Sequence, residues 1–279
     1  MNTIKNQLDG ACNLLANHSP SPRLDAEVLL AFVLGKNRSY LRAWDDKELE
    51  LVSLELFTQL VQKRRIGVPI AYLTGLREFW SRDFKVSSAV LIPRPETELL
   101  IELCLERLSN NKKHAVLDLG TGSGAIAITL AAERPLVEMT AIDKSSEALD
   151  IAKENAIRHD CQHIKFLLSD WLSALSIEAK FDFILSNPPY IAKDDVHLSQ
   201  GDVRFEPMSA LVALDNGFCD IKTIASDAKK HLRVGGQLWF EHGYNQAQET
   251  RAILKSLDYK NVKTYIDLSG QPRVTMGFI

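Results

Sequence analysis

The sequence predicts an α/β protein: a doubly wound sheet of seven strands preceded by a small helical bundle domain. Three observations lead there. Residues 1–75 space their apolar side chains by three and four, with no competing strand pattern. From His114 onward, short apolar runs alternate with helical stretches. A glycine-rich turn, Gly120-Thr121-Gly122-Ser123-Gly124, stands directly between one such run and a helix.

In residues 1–75 the apolar sets are Ile4, Leu8, Cys12 and Leu15; then Leu24, Val28, Leu29, Phe32 and Val33; then Leu49, Leu51, Leu54, Phe57, Leu60 and Val61. Breaks at Ser19 to Pro22, at Gly35 and at Gly67 to Pro69 suit helix ends. Asp25 and Glu27 fall early in the second helix, where the dipole favours acidic groups. Lys63, Arg64 and Arg65 read as a solvated helix terminus, or else as a contact for an RNA-like or acidic partner. Residues 76–92 alternate around Phe79, Phe84, Val86, Val90 and Ile92, which predicts a hairpin linker turning near Ser81 to Asp83.

Residues 93–279 form the second predicted domain. Pro93 and Pro95 close the extended segment, and Glu96, Thr97 and Glu98 open a helix with Leu99, Leu100, Leu103 and Leu108 on its apolar face. Strands are expected at Ala115–Leu119, Val137–Ile142, Ile164–Leu168, Phe181–Ser186, Gln237–Glu241, Val262–Ile266 and Arg273–Phe278. Too few residues separate the final two for a helical crossover, so the last strand should run antiparallel.

Composition narrows the class. With 279 residues, 25% of them charged, the chain is long enough for two domains. A net charge of −3 offers no electrostatic basis for broad nucleic-acid or membrane binding. Cys12, Cys104, Cys161 and Cys219 lie far apart without a CxxC pair, so reduced thiols are expected rather than a zinc site or disulfide framework. The start MNTIKNQLDG lacks signal-peptide character and no apolar run reaches membrane-spanning length, which predicts a cytoplasmic protein. His159 and His163 have no third ligand in register, so no metal is expected; His242 reads as structural.

Two stretches carry the chemistry. Glycines at 120, 122 and 124 let a ligand lie against the backbone while the following helix presents its N–H donors. Asp143, ending the second strand of the alternating region, suits a ribose-hydroxyl acceptor. These residues imply a nucleoside-bearing cofactor and fit a dinucleotide equally well. Asp118 either sits near such a ligand or caps the turn.

The second stretch is Phe181–Tyr190, FDFILSNPPY. An apolar strand stops where Pro188 and Pro189 lack N–H groups and hold their predecessors extended. What remains at the strand's carboxyl end is the Asn187 amide, the Pro188 carbonyl and the Tyr190 ring. Asn187 oxygen and Pro188 carbonyl together can accept both hydrogens of a planar NH2, with Pro189 and Tyr190 beside it.

The order VLDLG, GTGSG, Asp143 and NPPY resembles class I S-adenosylmethionine-dependent methyltransferases over residues 114–279. The resemblance implies that Gly120, Thr121, Gly122, Ser123, Gly124, Asp143, Trp171 and Asn187 meet the cofactor, with Ser169, Asp170 and Trp171 where such enzymes hold adenine. The further segments PIAYLTGLREFW, VLIPRPETE and RFEPMSALVA closely resemble the bacterial HemK-like protein glutamine methyltransferases. That resemblance implies N5 methylation of the glutamine in the Gly-Gly-Gln motif of class I peptide chain release factors, in translation termination. It implies a catalytic role for Asn187, Pro188 and Tyr190, substrate contacts from these and Pro189, S-adenosylhomocysteine as product, and a release-factor docking role for residues 1–75. The expected enzyme is a monomer with no stable nucleic-acid partner. A nucleic-acid adenine-N6 methyltransferase and a ribosomal-protein glutamine methyltransferase are the alternatives. Glu206 either shapes the glutamine pocket or caps a helix.

Overall fold

The computed structural model describes residues 2–279, and the chain divides into two compact units: residues up to Leu76 together with Ser199–Phe205, and Arg77–Leu198 together with Glu206–Ile279. No helix among the described residues is long and apolar enough to cross a membrane.

The first unit holds α1 (Ile4–Leu15), α2 (Pro22–Leu34), α3 (Arg38–Ala43), α4 (Leu51–Arg65) and α5 (Ile70–Thr74). Its core is built from Ile4, Leu8, Leu15, Leu29, Leu30, Phe57, Leu60 and Val61. Thr3 caps α1 by accepting the Asn6 N–H, and Asn37 caps α3 by accepting that of Tyr40. Gly35 ends α2 in the left-handed conformation.

Two expectations shift in this unit. Leu24 and Phe32 of α2 are exposed, whereas Asp25 and Glu27 are buried. The reason is ionic. Arg64 of α4 is itself buried and donates to Asp25 at 2.6 Å and to Asp202 at 2.8 Å, while the Ser19 hydroxyl donates to Asp25 at 2.7 Å. Glu27 accepts from Arg38 at 2.7 Å and Arg23 at 3.1 Å. Of the basic cluster, only Lys63 and Arg65 are the solvated terminus that the sequence suggested.

A hairpin of β1 (Leu76–Phe79) and β2 (Arg82–Lys85) comes next. Its turn falls on Trp80 and Ser81, both left-handed with φ of 52° and 56°, slightly earlier than expected. Positive φ at both central residues matches the twist of the flanking strands, and this sets the register. Phe79 and Phe84 enter the same apolar core as Leu100 and Ile101 of α6 (Glu98–Leu105).

The sheet then assembles from β3 (His114–Leu119), β4 (Val137–Asp143), β5 (Lys165–Leu168), β6 (Phe181–Ser186), β7 (Leu232–Glu241), β8 (Lys260–Ile266) and β9 (Pro272–Phe278). Intervening helices are α7 (Ala125–Glu133), α8 (Ser146–Arg158), the short α9 (Met208–Leu211) and α10 (Leu214–Gly217), α11 (Cys219–Ala228) and α12 (Ala247–Ser256). The spatial order is β5-β4-β3-β6-β7-β9-β8. Strands β3 to β7 pair in parallel, and β9 runs antiparallel to both β7 and β8.

Neighbouring residues of the central strands face opposite sides. Val116 and Phe183 enter one apolar cluster, Leu117 and Ile184 the other. β7 begins five residues before the expected Gln237, because the chain bulges between Leu232 and Gln237 through Gly235 before regaining its register on β6. The chain order reverses between β3 and β6, and a ligand crevice belongs outside the carboxyl ends of those two strands.

Removing the Arg64 side chain leaves Asp25 buried without its ion partner. Arg64→Ala should cost about 3–5 kcal/mol in the first unit, read as a fall in its urea unfolding midpoint.

Candidate active site

Leu119 of β3 aligns with Ile142 of β4, and the Gly120 and Thr121 N–H groups both donate to the Ile142 carbonyl at 2.9 Å. Gly120 turns at φ 75°, and a β-carbon there would meet the Trp171 ring at 3.4 Å. The left-handed φ is what favours glycine here; the ring stands at ordinary van der Waals distance. Asp118 lies fully buried under the turn and accepts the Thr121 hydroxyl at 2.7 Å, with its other oxygen unpartnered. Burial pushes this carboxyl up to about 7. Asp118 therefore caps the turn and does not line the cleft.

Asp143 does line it. Its Oδ2 accepts the Gly122 N–H and its Oδ1 the Ser145 N–H, each at 2.9 Å. The carboxylate thus ties the two loops together and keeps a lone pair on each oxygen for a ligand hydroxyl. Ser169, after β5, donates its N–H to the Asp143 carbonyl at 3.0 Å. Trp171 follows at φ 48°, its ring against Gly120 and its indole N–H donating to Asp220 of α11 at 3.1 Å. It is both a cleft wall and a half-buried tryptophan with a satisfied N–H.

Asn187 leaves the sheet beside Gly120, because Leu119 and Ser186 are aligned across β3 and β6. Its Nδ2 donates to Thr97 Oγ1 at 3.3 Å. No hydrogen bond from the described residues reaches the Pro188 carbonyl. The Tyr190 carbonyl accepts Gln246 Nε2 at 2.9 Å. Gly217, at φ 90°, presses on that same carbonyl so closely that a β-carbon would lie 2.2 Å from it.

The facing wall is residues 89–97, of which Ala89, Val90, Leu91, Pro93, Arg94 and Thr97 line the cleft. Glu206, with no exposed side-chain surface, accepts the Ile92 N–H at 3.1 Å and pairs with Arg94. It braces this wall and is neither a helix cap nor a lining group.

Gly120, Thr121, Gly122, Ser123, Asp143, Trp171, Asn187 and Pro189 share this one cleft. Gly124, Pro188 and Tyr190 were expected with them and do not line it. Gly124 is the left-handed N-cap of α7, facing Ile128 and Ala152. Pro188 is buried, and Tyr190 is anchored through its backbone, with burial pushing its phenol up. Conversely, Thr97, Arg94, Lys144 and Ser209 line the cleft without having been singled out for it. The unusual IPRPETE string was the one available signal for the first two.

His159 and His242 are held within the fold. His159 Nε2 meets the Asp83 carbonyl at 3.0 Å with its ring against Phe84, and buried His242 bonds Gly243 and Thr275. No group of three His, Cys, Asp or Glu residues is placed to hold a metal among the described residues.

Residues 97–205 match the family described as methyltransferase small domain, and residues 7–75 that described as PrmC N-terminal domain. The release factor glutamine methyltransferase of Vibrio cholerae is 49% identical over 276 residues, spanning 99% of this chain and 96% of the relative. That of Salmonella typhimurium is 50% identical over 259 residues, 93% of each. The chain belongs to the release factor glutamine methyltransferase family. Solved structures share its fold alone: the hMettl16 catalytic domain in complex with a MAT2A 3′UTR hairpin has a TM-score of 0.58 at 18% identity, covering 78% of this chain and 81% of that one. A Pyrococcus furiosus methyltransferase has a TM-score of 0.53 at 16% identity, covering 79% and 96%.

In this member of the release factor glutamine methyltransferase family, two substitutions probe the site's scaffold. Gly217→Ala forces the Tyr190 carbonyl to move, and misplacement on the scale of 1 Å costs about 100-fold in rate; methylation turnover should fall by that order while α-helical circular dichroism is retained. Asp118 has a folded value of about 7 against an ordinary 3.8. Between those values the folded protein keeps a proton that the unfolded chain has released, so this group lowers stability as pH rises through that window. Asp118→Asn should accordingly gain stability over the parent at about pH 8 and little at about pH 4, as read from urea midpoints.

Proposed function

We propose that the chain transfers a methyl group from S-adenosylmethionine to the side-chain amide nitrogen of a glutamine in class I peptide chain release factors, the glutamine of the Gly-Gly-Gln motif. The observation that carries this reading is the placement of Asn187 beside the Gly120 turn at the reversal of strand order.

The cleft fits the cofactor. A turn whose Gly120 is left-handed with the Trp171 ring at van der Waals distance, an Asp143 carboxylate with free lone pairs and the Trp171 wall form a set suited to a nucleoside. Gly120, Gly122, Asp143 and Trp171 would hold it; when bound, it supplies the sulfonium methyl group and leaves as S-adenosylhomocysteine.

An amide nitrogen is a poor nucleophile, because its lone pair is delocalised into the carbonyl. Asn187 Nδ2 is taken by Thr97, which leaves Oδ1 as the acceptor; the Pro188 carbonyl, which accepts no hydrogen bond from the described residues, would be the second once a substrate side chain reaches past the cleft lining to it. Two acceptors holding both N–H bonds orient the substrate nitrogen and keep its lone pair toward the methyl donor. The methylated nitrogen then loses a proton readily, so no general base is needed before transfer. No histidine or cysteine lines the cleft among the described residues.

In this reading the first unit docks the release factor. Val52 and Leu56, one turn apart on α4, are exposed apolar side chains suited to a protein partner.

Incubation with a purified class I release factor and S-adenosylmethionine, followed by peptide mass analysis, should add one methyl group to the glutamine peptide alone. Modification of DNA or of a ribosomal protein in its place rejects the substrate. Asn187→Ala should lower turnover by about 100- to 1,000-fold with cofactor affinity nearly intact.

A further inference from the structure

Behind Asn187 lies a carboxylate that the chemistry above leaves unused. Glu241 ends β7, and the alignment of Ser186 with Phe240 across β6 and β7 brings it level with Asn187. It is 1% exposed, and its Oε2 has no hydrogen-bond partner. Its polar neighbours are few: the Thr97 hydroxyl and the Asn187 amide favour its charged form, as does Arg273 of β9, while Glu96 opposes it. Glu241 in turn disfavours ionisation of the Tyr190 phenol. A buried carboxyl with one oxygen left without a partner is costly and calls for a reason.

The hydrogen-bond roles supply one. Thr97 Oγ1 accepts from Asn187 Nδ2, so the hydroxyl's own proton is directed elsewhere, and Glu241 is the acceptor beside it. A side-chain amide has two faces of nearly equal shape, and only its neighbours decide whether oxygen or NH2 points a given way. An ionised carboxylate accepts and cannot donate. It therefore holds the NH2 of Asn187 inward and repels the flipped form, whose oxygen would face a negative charge.

We propose that Glu241, with Thr97 as its link, is a positioning residue that keeps the Asn187 oxygen turned outward to the substrate amide. The inference rests on the reading of Asn187 as the acceptor clamp. Neither Glu241 nor Thr97 touches the reacting atoms. They set an orientation, and a flipped Asn187 would offer a donor to a group that is itself a donor.

A titration signature follows. Burial pushes the Glu241 carboxyl up to about 7. Above that value the ionised form enforces the outward oxygen. Below it the protonated acid can donate to an inward-facing oxygen, and the preference is lost. Turnover should therefore fall as pH drops through about 7.

The test is methylation of a purified class I release factor at saturating S-adenosylmethionine across that pH range, with cofactor affinity measured by calorimetry. Thr97→Val should lower kcat by about 10-fold or more with cofactor affinity unchanged, and Thr97→Ser should restore it. Glu241→Gln, which keeps shape and loses charge, should lower kcat and abolish the acid limb. The proposal is overturned if Thr97→Val turns over like Thr97→Ser, if Glu241→Gln keeps the parent pH profile, or if cofactor affinity falls in step with rate. Asn187→Ala separates the two levels. Parent-like turnover there removes the clamp and this inference together. An inactive Asn187→Ala beside fully active Thr97→Val and Glu241→Gln leaves the clamp standing and removes only the positioning role.

Discussion

The alignment of β3, β6 and β7 at their carboxyl ends is the constraint on which the site depends. Leu119 stands opposite Ser186, and Ser186 opposite Phe240, so Gly120, Asn187 and Glu241 emerge as one row at the sheet's edge. A slip of one residue would turn the Asn187 and Glu241 side chains to the other face. The register is enforced by burial on both sides, since Leu117, Ile184 and Leu238 share one apolar cluster and Val116, Phe183 and Trp239 the other. Packing that stabilises the sheet and geometry that builds the cleft are thus the same contacts.

Around that row the protein buries charge where a hydrophobic core would be cheaper. Asp118, Glu206 and Glu241 are each nearly inaccessible, and each works on a different part of the cleft. Asp118 holds the glycine turn through Thr121, Glu206 braces the facing wall through Ile92 and Arg94, and Glu241 stands behind Asn187. Buried polar groups of this kind are weak contributors to stability and strong determinants of orientation. Tight positioning of a weak nucleophile is the requirement that amide methylation imposes. Asp118 and Glu241 each keep one buried oxygen without a hydrogen-bond partner, a local cost to stability.

The helical unit uses the same device for another end. Arg64 joins Asp25 of α2 to Asp202 of the segment Ser199–Phe205, and the Arg204 guanidinium donates to the Ile66 carbonyl at 2.7 Å. A stretch of chain far along the sequence is thereby held within the first unit by ionic contacts rather than by apolar packing alone. The curated relatives match across both units, so the helical part belongs to the family as much as the sheet does.

Strand and helix positions, the glycine turn and the SNPPY strand end were all legible in the sequence, because each rests on local rules. Apolar period distinguishes strand from helix, glycine takes a left-handed turn at no steric cost, and paired prolines end a strand covalently. The partners of the site residues were not legible. Thr97 reaches Asn187 across 90 positions of chain and Glu206 reaches Ile92 across 114. Asp25, Arg64 and Glu241 look solvent-bound in a linear reading, and whether a charge is buried depends on what packs over it. The sequence by itself determined the fold class and singled out the glycine turn and the strand end at Asn187 as the stretches to watch. Only the tertiary structure decided which way those groups face, because orientation comes from neighbours that chain order keeps far apart.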